Sequence, residues 1–89
     1  MSYRIKINSS AKADLKKINR SHLKDSFLEI ISALKSDPYQ PTQSFEKLQP
    51  YHNGFYSRRI NEQHRVIYKV DGVNHVVKIF AAWTHYDAH

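Results

Sequence analysis

The sequence predicts an α+β fold: an N-terminal strand, a two-helix hairpin, then an antiparallel meander sheet with both helices packed on one face. Three observations carry that reading. Residues 3–8 alternate apolar and polar side chains, the period of a half-buried strand. Residues 9–37 hold two apolar stripes at helical spacing with almost nothing between them. From Phe45 onward, aromatic and β-branched residues alternate with cations between short turn signals. The chain has 89 residues and no internal repeat, low-complexity tract or linker, which suits one domain over residues 1–89 with a modest core.

In the first strand Tyr3, Ile5 and Ile7 face one way and Arg4, Lys6 and Asn8 the other. Ser9 or Ser10 stands where a helix N-terminus needs a side-chain acceptor for its unpaired amides. That helix reaches about Asn19, with Ala11, Leu15 and Ile18 on its stripe and Lys12, Lys16, Lys17 and Arg20 mostly off it. The basic face is either simply solvated or a contact for an RNA backbone. Ser21 can cap a second helix, which carries Leu23, Phe27, Ile30, Ile31 and Leu34 on one side. It must stop near Asp37, because Pro38 disfavours the helical conformation in the residue before it. Both stripes read as core. Residues 37–44, with Pro38 and Pro41, read as a surface connection.

A short strand over residues 45–49 leads into residues 53–68, the stretch around which the chain is organised. Asn53-Gly54 is a hairpin signal, since a type I′ turn needs positive φ at both central residues. Asn61-Glu62-Gln63 is a second turn and Asp71-Gly72 a third. The last strand runs from about Val73 to Thr84-His85-Tyr86. Arg59 and Arg65 stand at odd positions on either side of the middle turn. Pairing of the flanking strands would project both from one sheet face, which suits the holding of a phosphate.

Charge and composition narrow the partners. Fourteen Lys and Arg against eight Asp and Glu give a pI near 9.7. Such a surface favours nucleic acid, an acidic protein or an anionic membrane surface, and is also compatible with a merely soluble basic protein. No cysteine is present, which excludes disulfides and thiolate metal sites. The longest unbroken apolar run covers only residues 79–83, too short for a membrane span or a signal-peptide core, and a cytoplasmic protein is the simplest reading. His85 and His89 have the i, i+4 spacing of a helical zinc pair, but that segment does not read as helical. No metal or other cofactor is expected.

Cleaving RNA without a metal needs a base for the ribose 2′-hydroxyl, cations for the phosphorane and an acid for the departing 5′-oxygen. Glu46, the pair Arg59 and Arg65, and His85 with Tyr86 are candidates for these roles, from different predicted strands. A histidine donates or accepts protons near neutrality, and the planar guanidinium binds two phosphate oxygens at once. Each residue also has a structural reading. Glu46 suits a solvated strand edge or a salt bridge. Arg58 and Arg59 suit a plain alternation, one at the core edge and one in solvent. His52, His64 and His75 read as surface or turn residues, and Trp83 and Tyr86 as edge packing or as platforms for a base.

The organising stretch resembles the Txe/YoeB toxins of bacterial type II toxin–antitoxin systems, within the wider RelE/ParE superfamily. The matching residues are Gly54-Phe55-Tyr56-Ser57-Arg58-Arg59-Ile60, Glu62, His64-Arg65 and Tyr68, with Glu46 and Leu48 upstream and His85-Tyr86 at the close. The similarity extends over nearly the whole chain. It implies a RelE/YoeB-like fold of the microbial-RNase type and a ribosome-dependent endoribonuclease that cuts mRNA in the ribosomal A site and stops translation. By that resemblance Glu46 is the general base, His85 the general acid and Tyr86 a substrate-positioning residue. Arg65 holds the scissile phosphate, aided by Arg59, with Lys47 and Arg58 as further phosphate-binding cations. The resemblance also implies a YefM-like antitoxin whose acidic C-terminal segment folds over the toxin. Operator DNA would be met only through that complex, and a toxin homodimer is possible. The chain departs from the family at Gln49, where a lysine is usual three residues after the glutamate. It departs again at Tyr56, where a tryptophan is typical, and in its extra Asp87-Ala88-His89. A ParE-like gyrase inhibitor and a nonenzymatic RNA-binding module are the alternatives on the same fold.

Overall fold

The computed structural model describes residues 2–83. The half-buried alternation near the N-terminus becomes β1 (Arg4–Ile7), and a single 3₁₀ turn (Ser9–Ala11) leads into α1 (Lys12–Asn19). A tight turn connects this to α2 (Lys24–Ser36), which ends where Asp37 takes an extended conformation ahead of Pro38. Four further strands follow: β2 (Glu46–Lys47), β3 (Phe55–Arg59), β4 (Arg65–Asp71) and β5 (Val76–Ala81). They form one five-stranded sheet in the order β1-β5-β4-β3-β2. The expected antiparallel meander is β2 to β5, and β1 joins its far side parallel to β5, so the sheet is mixed.

Strand alternation divides the side chains into two populations. Ile5, Ile7, Val66, Tyr68, Val77 and Ile79 face the helices. There they meet Ile18, Leu23, Phe27, Ile30 and Leu34 in one hydrophobic cluster. Both predicted helical stripes are therefore core, and truncating a fully buried member such as Leu34 to alanine would cost roughly 2–5 kcal/mol. Among the described residues neither α1 nor α2 packs on the opposite face.

Several local expectations are corrected. Neither serine before α1 caps it: the Ser10 hydroxyl donates instead to the Phe80 carbonyl at 2.7 Å, tying the helix start to β5. Ser21 does turn the chain into α2, its hydroxyl accepting from the Leu23 amide at 3.1 Å. Asn53-Gly54 is not a two-residue hairpin. Residues 51–53 form a 3₁₀ turn between β2 and β3, and Gly54 alone takes the left-handed conformation, at φ 75°. The Asp71 turn works through its side chain, whose carboxylate accepts from the amides of Val73 and Asn74 and from the Asn74 side chain. Those bonds, the Asn74 side chain's foremost, hold the Asp71 carboxyl below its ordinary pKa. His75 supplies the positive φ at that corner, so β5 starts at Val76, later than Val73.

The largest correction concerns residues 37–44 and Arg58. That connection is pinned to the sheet by Arg58, whose side chain is fully buried. Its Nε donates to the Tyr68 hydroxyl at 3.1 Å. Nη1 donates to the Thr42 carbonyl and hydroxyl, at 3.0 and 3.1 Å. Nη2 donates to the Pro38 carbonyl at 3.1 Å, which also accepts from Tyr68 at 2.7 Å. The Phe45 ring lies over the guanidinium, 5.0 Å from its carbon. A buried cation is tolerated only when its donors are satisfied, and here neutral acceptors satisfy them. Arg58→Ala leaves the Thr42 and Pro38 carbonyls short of partners and opens a void; urea denaturation should show a loss of about 2–4 kcal/mol.

Burial pushes the Tyr68 phenol up to about 12, against the smaller opposing pull of Arg58. Its folded pKa exceeds the ordinary value of 10.0, so its contribution to stability is whole below pH 10 and is lost as the pH rises towards 12. Chemical denaturation across that window should therefore show declining stability, and Tyr68→Phe should show a shallower decline.

Candidate functional site

The open face of the sheet follows from the strand registers. Glu46 lies opposite Ser57, Ser57 opposite Ile67, and Arg59 opposite Arg65. Since Val66 and Tyr68 point to the helices, these five residues point away from them. The Glu46 Oε2 and the Arg65 Nη1 stand 3.9 Å apart, the one ion pair among the described residues. That separation is too long for a hydrogen bond. The Arg65 side chain is 17% exposed and that of Glu46 59%, so the carboxylate stands in water while the guanidinium is half sunk in the sheet. Arg59 is exposed directly opposite Arg65. Two like charges in register destabilise a sheet, a repulsion that an anion held between them would relieve.

The structure thus brings together Glu46, Arg59 and Arg65 from three strands. It separates two other residues expected at the phosphate. Arg58, enclosed as described, has its guanidinium turned to the helix side, with each nitrogen already donating. Lys47 lies opposite Tyr56, one residue out of phase with Glu46, so it occupies the other face, its Nζ 5.8 Å from the Tyr56 ring centre. Neither lies on the face that carries Glu46, Arg59 and Arg65. His85 and Tyr86 lie outside the described residues.

Two residues that the sequence reading gave no role at the site hold residues 82 and 83. His64, taken as a turn residue, stacks on Trp83 with ring centres 4.3 Å apart, and its Nδ1 meets the Trp83 carbonyl. The turn beneath is closed by Asn61, whose side-chain oxygen accepts from the Gln63 and His64 amides. From the helix layer, Asp14 of α1 accepts from the Ala82 amide at 3.2 Å. Residues 82 and 83 are thereby held beside Arg65. The available signal for His64 was its adjacency to Arg65; Asp14, 68 residues from its partner, left none.

Beside the three charged residues is an apolar hollow of about 400 Å³, lined by Leu48, Pro50, Phe55, Ile67, Phe80 and Ala81. It exists because Phe80 is an extra residue in β5: Ile67 pairs with Ala81 and Tyr68 with Ile79. The bulge leaves the Phe80 ring on the open face, edge-on to Phe55 at 5.2 Å. Among the described residues no cluster of three His, Cys, Asp or Glu is placed to hold a metal ion. The arrangement offers a carboxylate base, two guanidiniums for an anion and a hollow of a size for a planar ring.

Residues 8–86 match the family model of the YoeB-like toxin of bacterial type II toxin–antitoxin systems. The fold is similar to the YoeB dimer from Staphylococcus aureus, at 27% identity and a TM-score of 0.81, over 97% of this chain and 100% of that one. It is similar also to the YoeB–YefM complex from the same organism, at 29% identity and a TM-score of 0.77 with the same coverage. The YoeB/ParE toxin from Agrobacterium tumefaciens shares the fold, with a TM-score of 0.83 and 24% identity over 93% of this chain and 99% of that one. Among curated proteins none matches the chain.

Trp83 is the single tryptophan, so its fluorescence reports the His64 contact directly. His64→Ala should shift the emission to longer wavelength and lower stability by about 1 kcal/mol, measured by urea denaturation.

Proposed function

The chain belongs to the YoeB-like toxins of bacterial type II toxin–antitoxin systems, and from that premise we propose that it is a ribosome-dependent endoribonuclease cutting mRNA in the A site. The single observation that carries this reading is the carboxylate of Glu46 standing within 3.9 Å of the Arg65 guanidinium on the open face. A protein that acted only by binding would have no need of a base placed against a phosphate-sized cation pair. Residues 1–89 act as a single toxin domain in this reading, without a metal.

Glu46 takes the proton of the ribose 2′-hydroxyl, and the freed oxygen attacks the adjacent phosphorus. Arg65 and Arg59 hold the non-bridging oxygens, and their attraction strengthens as negative charge gathers on the phosphorane. His85 gives a proton to the departing 5′-oxygen, leaving a 2′,3′-cyclic phosphate and a 5′-hydroxyl. Tyr86 steadies the substrate beside it. The hollow between Phe55 and Phe80 receives a nucleobase. His64 and Asp14 act as positioning residues, holding the chain two residues before His85 against the Arg65 corner.

The antitoxin in this reading is a YefM-like protein, as in the YoeB–YefM complex to which the fold is similar. Its acidic C-terminal segment covers the open face and masks the cations. Operator DNA is reached only through that complex, and the toxin pairs with itself as the Staphylococcus protein does.

Cleavage mapping in a reconstituted translation reaction tests the assignment. Glu46→Gln and His85→Ala should each slow cleavage at least about 100-fold, and Arg65→Ala about 100- to 1,000-fold, with unchanged circular dichroism. Intact mRNA accompanied by induction of the DNA-damage response would overturn the nuclease reading in favour of gyrase inhibition.

A further inference from the structure

We propose that Lys6, Lys78 and Lys69 form a phosphate track that carries the single-stranded RNA away from the cleavage site. This rests on the nuclease reading above and names how its substrate is held beyond the scissile bond. The three lysines come from three strands but occupy one transverse line: Lys6 pairs with Lys78, and Lys78 with Lys69. Adjacent strands lie roughly 4.8 Å apart. Like charges directly opposite each other weaken a sheet, and here three stand in a row.

Among the described residues none of the three is in an ion pair; the only such pair is that of Glu46 and Arg65. Asp71 lines the same hollow and keeps its negative charge, but its oxygens are turned to the Val73 and Asn74 amides and the Asn74 side chain and form no ion pair with a lysine. The row lines an open hollow of about 690 Å³, with Arg4 at one side and Phe80 at the other. Aromatic rings already orient two of the ammonium groups. Lys69 Nζ sits 4.5 Å from the Phe55 ring centre, and Lys78 Nζ 5.5 Å from that of Phe80.

The position suits the same molecule whose phosphate Arg59 and Arg65 hold. Lys69 follows Arg65 by four residues on β4, about 13 Å along the same face. A strand leaving the cleavage corner crosses the Phe55–Phe80 hollow and meets the lysine row within a few nucleotides. A peptide strand would pair along the outer edge of β1, which the row reaches only at Lys6; Lys78 and Lys69 stand inside the sheet, on the face that leads back to Arg65. Lysines act as point charges and read no sequence, so the track adds affinity and direction without base preference.

The test is the salt dependence of binding to a twelve-nucleotide 2′-O-methyl RNA, which cannot be cleaved, compared for the parent, K6Q/K69Q/K78Q and K6R/K69R/K78R. Removing three single-strand phosphate contacts should flatten the plot of log affinity against log salt by about 2 and weaken binding at least tenfold near 0.1 M salt. The arginine variant should keep the parent slope. A glutamine variant with the parent's slope overturns the track, as does one that loses affinity for an octaglutamate peptide but not for the RNA. The nuclease reading is scored separately by cleavage. If the parent cuts mRNA while the slope is unmoved, the track alone falls. If the parent does not cut while the slope flattens, the RNA track stands and the nuclease reading falls.

Discussion

The satisfaction of one buried cation organises the functional half of this protein. Arg58 is fully enclosed, and a guanidinium in that position must have its donors answered within the protein. The answer comes from Pro38 and Thr42, in a segment that has no secondary structure of its own. Drawing that segment over the sheet brings Phe45 onto the guanidinium and lays β2 along β3. Glu46 consequently stands opposite Ser57, a short diagonal from Arg65. The carboxylate reaches the cation pair because an arginine buried on the other face needed hydrogen bonds.

The neighbouring arginine shows how little separates the two roles. Arg58 and Arg59 are consecutive, yet strand alternation sends one into the core and the other into water. Tyr68 accepts from Arg58, while Arg65, three residues earlier on the same strand, faces Arg59. The helix side of the sheet thus concentrates stabilising contacts. The open side accumulates like charges in register, at Arg59 with Arg65 and along the lysine row, and these cost stability in the free protein. A polyanion would relieve that repulsion at each of these points, so the face is less stable empty than covered.

A second constraint acts where the described chain ends. Residues 82 and 83 are fixed by Asp14 from α1 and by His64 from the β3–β4 turn, groups that share no element. His64 precedes Arg65 directly in the chain and Asp14 reaches residue 82 from the helix layer, whereas the lysine row lies about 13 Å along β4 from Arg65. The bulge at Phe80 sits between the two regions and supplies the aromatic surface that joins them. Arg65, the Phe55–Phe80 hollow and the lysine row therefore follow one another along a single face.

Periodicity alone determined the strand, the helical hairpin and the placing of Arg59 with Arg65 on one face, because alternation and helical stripes are local properties of neighbouring residues. Glu46 came forward instead as a carboxylate at a predicted strand and through the family resemblance. Periodicity did not separate Arg58 from the phosphate, expose Lys47 as belonging to the other face, or mark His64 and Asp14 as anchors. Those outcomes depended on which acceptors lay near a buried guanidinium and on how β2 registered against β3. They also depended on a contact spanning 68 residues. Local pattern decides which way a side chain points; only packing over long sequence separations decides what it finds there.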